Sequence, residues 1–114
     1  MQLTVVIPCL NEIETIEICI KKCQEALKKM NIESEIIIAD NGSSDGSIEV
    51  AKKLGARVVD IKPKGYGNAL RGGIDRANGK FIIMADCDNS YDFLCIDQFY
   101  NKLIEGYDMV QGCR

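Results

Sequence analysis

Three carboxylates crowd into "DCDNSYD", where Asp86, Asp88 and Asp92 follow directly on the apolar run "KFIIMA". Asp86 and Asp88 are separated by one residue, so in extended backbone their side chains point the same way, a few Å apart. Two anions held that close suit a hard divalent cation, Mg²⁺ or Mn²⁺, which keeps several waters and takes further oxygen ligands from phosphate. Cys87 is then the spacer that puts both aspartates on one side. Asp92 stands where "SYDF" opens a helical region, a position at which a carboxylate caps backbone N–H groups.

Similar polar clusters recur wherever an apolar run stops: Pro8-Cys9-Leu10-Asn11-Glu12, then Asp40-Asn41-Gly42-Ser43-Ser44-Asp45-Gly46, then Lys62-Pro63-Lys64-Gly65-Tyr66-Gly67. Asp40, at the tip of a strand, can accept hydrogen bonds from a ligand's N–H or O–H groups; equally, Asp40 and Asp45 can organise an Asx turn and cap a helix at Ser47. Glu12 is either a ligand contact or a first-turn carboxylate favoured by the helix dipole. Lys64 and Arg71 can each neutralise a phosphate or lie solvated on the surface. The glycines of "KGYGNALRGG" precede a helix, as phosphate-binding glycines do, but they lack the G-x-G-x-x-G spacing and follow the third strand rather than the first. Gly72 and Gly73 fall inside that helix, which points to close packing of helix on sheet.

The elements that must position these residues alternate. Leu3 to Pro8, Glu35 to Asp40, Ala56 to Ile61, Lys80 to Asp86 and Asp108 to Gly112 read as strands, apolar throughout, as in a parallel sheet covered on both faces. Ile13, Ile16, Ile20, Cys23, Leu27 and Met30 recur at helical spacing and form one apolar stripe. Cys23 belongs to that stripe as a core residue rather than a redox thiol. Further helices are expected at Ser47 to Leu54, Gly67 to Ala77 and Ile96 to Glu105. The order βαβαβαβαβ specifies a doubly wound α/β sheet, which binds ligands beyond the carboxyl ends of its strands. The last strand runs into Arg114 with no covering helix, as if the domain were cut short.

Composition excludes several alternatives. At 114 residues, 46% hydrophobic and 27% charged, the chain is one globular domain. Its net charge of −3, from 14 Lys and Arg against 17 Asp and Glu, includes no basic block, so nucleic acid is not an expected partner. The six cysteines form no C-x-x-C pair and there is no histidine, which argues against zinc. Neither a signal peptide nor an apolar run near 18 residues is present, so a cytoplasmic stretch with reduced thiols is expected. Without histidine, acid–base chemistry rests on carboxylates or lies outside the chain.

Taken in order, "VVIPCLNE", "IIIADNGSSDGS", "GYGNALRGG" and "FIIMADCDNSYDF" resemble the family 2 glycosyltransferases of the GT-A fold, in the branch of dolichyl-phosphate mannose synthase and bacterial polyprenyl-phosphate hexosyltransferases. The resemblance covers nearly the whole chain and implies a Rossmann-like, mostly parallel domain over residues 1–114 that holds the donor half. It implies transfer of a hexose, with inversion, from a UDP- or GDP-sugar to an acceptor such as polyprenyl phosphate at a membrane, aided by Mg²⁺ or Mn²⁺. Carried over by position, Pro8, Leu10, Glu12 and Asp40 line the nucleoside pocket, with Lys64 near the phosphates. Asp86, Cys87 and Asp88 match the family's D-x-D: Asp86 lies towards ribose and metal, Asp88 holds the metal, and Cys87 contributes backbone. Many members have Tyr at the position of Leu10, and some have Gln or His near Ser90. The catalytic base and acceptor site are expected beyond Arg114, so the chain alone is expected to bind a nucleotide sugar without turning it over. A dinucleotide oxidoreductase or a sugar nucleotidyltransferase would want a glycine-rich loop after the first strand, where this chain has "PCLNE".

Overall fold

The computed structural model describes residues 1–62, 64–85 and 96–104. Within them the chain runs β1 (Leu3–Cys9), α1 (Ile16–Met30), β2 (Ser34–Asp40), α2 (Ser47–Lys53), β3 (Arg57–Asp60), α3 (Tyr66–Asp75), β4 (Phe81–Met84) and α4 (Ile96–Ile104). The expected strand at Asp108 to Gly112 lies outside the described residues.

The four strands pair in the order β3-β2-β1-β4, all parallel. Successive side chains of a strand alternate between faces, and both faces here are apolar. Leu3, Val5, Ile7 and Cys9 of β1 pack with the α1 stripe, with Ala51 of α2 and with Ile96 of α4. Val6, Ile37, Ala39, Val59 and Ile61 pack on the other face with Ala69 of α3. Phe81 meets Tyr100 edge to face, ring centroids 5.8 Å apart, and so docks α4 on β4. The reason for glycine in α3 is direct. A Cβ on Gly73 would stand 2.5 Å from Val6 Cγ1, and one on Gly72 would stand 2.3 Å from Ile61 Cδ1.

Within α1, Ile16, Cys19, Ile20, Cys23 and Leu27 are buried as the stripe predicts. Ile13 departs from it: the N–H groups of Thr15 and Ile16 both turn back to Glu12 O, at 3.1 and 2.8 Å, so the helix starts at Ile16 and Ile13 stays in the preceding turn, 38% exposed. Asn31, at φ 54°, closes the helix in the left-handed region with its N–H on Lys28 O. Burial pushes the Cys23 thiol well above its ordinary range, with Cys19 adding to the effect, so it is held protonated and inert.

At the amino end of the sheet Glu35 joins four segments. Its Oε2 accepts from Thr4 Oγ1 and from Asn78 N, each at 2.8 Å, and its Oε1 lies 3.5 Å from Arg57 Nη1. Burial is the largest single influence and opposes ionisation, but the Asn78 amide, the Thr4 hydroxyl and Arg57 together outweigh it and lower the Glu35 pKa below its ordinary 4.5. The folded-state pKa is the depressed one. The stabilisation is therefore complete above the unfolded carboxylate range and fades as pH falls through the lower folded value. Glu35→Gln, which keeps one acceptor and loses the charge, is expected to lower stability by about 1 kcal/mol at pH 7. Urea unfolding at several pH values checks this: the gap between variant and wild type should narrow in the acid range, and a gap that stays constant would contradict it.

Candidate functional site

In a sheet ordered 3-2-1-4, the connections leave β1 in opposite directions, and the crevice at this switch point, outside the carboxyl ends of β1 and β4, is where such sheets take ligands. The loops that reach it are tied together residue by residue. Ser43 Oγ accepts from Asn11 N at 2.9 Å, and Asn11 Oδ1 accepts from Ser44 N at 2.8 Å. Ser47 Oγ accepts from Glu12 N at 3.0 Å while donating to Asp45 Oδ1, and Asp45 Oδ2 accepts from Ile13 N at 3.1 Å. The loop after β1 therefore lies bound along the loop after β2. Asn11 adopts φ 53°, a left-handed conformation that asparagine tolerates better than most residues.

The two readings of Asp40 separate here. It is 1% exposed, and its Oδ2 accepts from Gly42 N at 3.0 Å and Ser43 N at 3.1 Å, so the carboxylate folds its own loop as an Asx turn. Asp45 accepts from Ser47 N at 3.0 Å and supports the start of α2, although Gly46 is the N-cap residue. The Ser47 hydroxyl, above all, holds the Asp45 carboxyl below the usual carboxylate range, helped by the N–H groups of Ser47 and Ile13.

Asn41, next to Asp40, links the following loop. It is 6% exposed, donates through Nδ2 to Ile61 O at 2.9 Å and accepts at Oδ1 from Gly65 N at 2.8 Å. Lys64, exposed, lies over the β2 loop: a Cβ on Gly42 would stand 3.1 Å from its Nζ. An ammonium is thus brought to the loop built on Asp40.

Pro8 is half-buried at the end of β1, Glu12 is half-buried in the turn beyond it, and Leu10 is 46% exposed between them. The β1–β4 ladder puts Val6 beside Met84, and Val6 O accepts from Ala85 N at 2.9 Å. The next β1 residue facing that side is Pro8, which has no N–H with which to extend the ladder. Asp86, Cys87, Asp88 and Asp92 lie outside the described residues, so their expected roles as metal and diphosphate contacts, spacer and helix cap carry no geometry. Arg71 is exposed in α3. An open depression of about 360 Å³ bordered by Gln24, Lys28, Asn31 and Ser34 lies at the amino end of β2, away from this cluster.

The bonds by which Asn11, Asn41, Ser43 and Ser47 tie one loop to the next have no signature in the spacing of the sequence. They join residues 20 to 35 positions apart in the chain, and no local pattern encodes such bonds. The one available signal is compositional: small polar side chains packed densely into two loops at neighbouring strand tips.

The family model for glycosyl transferase family 2 matches residues 4–114. The chain belongs to glycosyl transferase family 2. Within the family it is 39% identical over 113 residues to the low-salt glycan biosynthesis hexosyltransferase Agl6 of Haloferax volcanii, covering 98% of this chain and 27% of that protein. It is 35% identical over 81 residues to the dolichyl-phosphate hexose transferase of the same organism, covering 71% of this chain and 35% of that protein. The chain thus spans about a third or less of the length of these two relatives. Glucosyl-3-phosphoglycerate synthase of Mycobacterium tuberculosis, solved with Mn²⁺, uridine diphosphate and glucosyl-3-phosphoglycerate, superposes with a TM-score of 0.75 at 28% identity, over 92% of this chain and 40% of that one. The parallel sheet is accordingly the Rossmann-like GT-A fold of glycosyl transferase family 2.

Proposed function

We propose that the protein is a metal-dependent, inverting hexosyltransferase that takes its sugar from a UDP- or GDP-sugar, and that residues 1–114 form its donor-binding part. The observation that carries this reading is the set of hydrogen bonds that tie the β1 loop to the β2 loop, with Lys64 over the latter, along the same carboxyl edge at which β4 leads towards Asp86 and Asp88 in the sequence.

Pro8, Leu10, Glu12 and the Asp40 loop border the nucleoside, with exposed Leu10 offering an apolar surface to the base. The backbone of that loop can come close to a ligand because Gly42 has no side chain, and the buried Asp40 carboxylate holds the loop in shape through Gly42 N and Ser43 N. Lys64 meets the diphosphate as a point charge. Asp86 and Asp88 hold Mg²⁺ or Mn²⁺, with Cys87 contributing backbone; an all-oxygen pair one residue apart fits a hard cation better than zinc. When bound, the cation supplies stabilisation of the charge that grows on the departing diphosphate. The Mn²⁺ and uridine diphosphate of the Mycobacterium tuberculosis synthase support this assignment.

For the acceptor we favour polyprenyl phosphate, supported by the dolichyl-phosphate hexose transferase relative. An acceptor oxygen that is already anionic removes the need for a base within the chain. Among the described residues no helix is long and apolar enough to cross a membrane. A lipid-linked acceptor would bring the donor part to a membrane surface, in this reading the cytoplasmic face. The test is release of nucleoside diphosphate from UDP- and GDP-hexoses in the presence of polyprenyl phosphate. Release should require Mn²⁺ or Mg²⁺ and stop on chelation. Release that persists under excess chelator contradicts the metal role, and no release from any donor leaves a nucleotide-sugar-binding module.

A further inference from the structure

One buried residue at the carboxyl edge joins the ends of three strands. Asn41 N donates to Cys9 O of β1 at 3.0 Å, its Nδ2 donates to Ile61 O just beyond β3 at 2.9 Å, and its Oδ1 accepts from Gly65 N at 2.8 Å. A carbonyl needs a donor and an N–H needs an acceptor, so only one orientation of the amide serves both loop contacts. Gly65 directly follows Lys64, whose ammonium lies over Gly42, the residue directly after Asn41. Asn41 therefore fixes both the loop beneath the ammonium and the backbone beside it. A carboxylate there would keep the bond to Gly65 N but set an oxygen against the Ile61 carbonyl.

We propose that Asn41 is a positioning residue for donor binding: by holding Gly65 it holds Lys64 over the β2 loop, where the ammonium engages the diphosphate of the nucleotide sugar. The inference rests on the function proposed above. It adds a residue that acts through another.

The test is a double-mutant cycle read by calorimetric titration with UDP and with GDP in Mn²⁺, alongside the unfolding midpoint of each variant. Lys64→Ala and Asn41→Ala are each expected to weaken binding about tenfold, the loss appropriate to one charge-assisted contact. The double variant should bind within about twofold of the singles, because both remove the same interaction. If Asn41→Ala does not unfold cooperatively, Asn41→Ser, too short to hold both partners, takes its place in the cycle. A purely structural role would lower the midpoints and leave the two affinity losses additive; additive losses, or wild-type affinity in Asn41→Ala, overturn the inference. If wild type binds neither diphosphate, the proposed function itself fails and the inference with it.

Discussion

Gly79→Ala is expected to destabilise the fold by about 3 kcal/mol, at the upper end of what overpacking by one methyl usually costs. A Cβ at this position would stand 2.5 Å from Thr4 N, 2.6 Å from Leu3 C and 2.7 Å from Thr4 Oγ1. Two of these atoms are backbone of the central strand, which cannot turn aside as a flexible side-chain tip can. Nor is the clash isolated. Gly79 N donates to Thr4 Oγ1 at 2.8 Å, the same hydroxyl donates to Glu35 Oε2, and Glu35 also receives Asn78 N, so moving Gly79 disturbs the whole latch at the amino end of the sheet. Gly67→Ala is the internal control. It lies in α3 with nothing within 4 Å of an added Cβ, so the same change there should be neutral or stabilising by up to about 1 kcal/mol, the helix preference of alanine over glycine. Urea midpoints for the two variants decide the matter. Equal midpoints would contradict the packing described for β1 and β4.

The second large effect concerns Asp88→Ala, which removes half of the carboxylate pair assigned to the cation. Stabilisation of a departing diphosphate by a bound metal contributes several kcal/mol, so nucleoside diphosphate release should fall by about 10²- to 10³-fold. The unfolding midpoint should not fall, because a carboxylate that serves to hold the cation contributes little to the fold in its absence. A variant that keeps more than about a third of wild-type turnover, a difference of under 1 kcal/mol in the barrier, would remove Asp88 from the reaction.

How far the sequence alone carried the architecture follows from what kind of interaction sets each feature. Strand and helix order was legible because β-branched runs and the α1 stripe are local patterns, and the four described strands fall where those runs fall. Gly72 and Gly73 announced close packing because a glycine inside a helix is otherwise unfavourable. Ile13 misled, since its apolar spacing continues the stripe while the backbone around Glu12 forms a turn; hydrogen bonds to the β2 loop, and not hydrophobicity, set where α1 begins. Asp40 was legible as a polar strand tip, but the direction of its carboxylate was not, because that depends on the amides of Gly42 and Ser43 folding back on it. Asn41 was the hardest to read. Its neighbours in sequence say nothing of Ile61 and Gly65, which only the parallel register of β2 and β3 brings alongside.

Whether the carboxyl edge of this sheet holds a nucleotide through a cation is decided by calorimetric titration of wild type and Asp88→Ala with UDP and with GDP, each with and without Mn²⁺. One of the two diphosphates should bind wild type at least about tenfold more tightly with Mn²⁺ than without, and this difference should vanish in Asp88→Ala. Binding that is equal with and without metal in wild type, or metal-dependent binding that survives in Asp88→Ala, would contradict it.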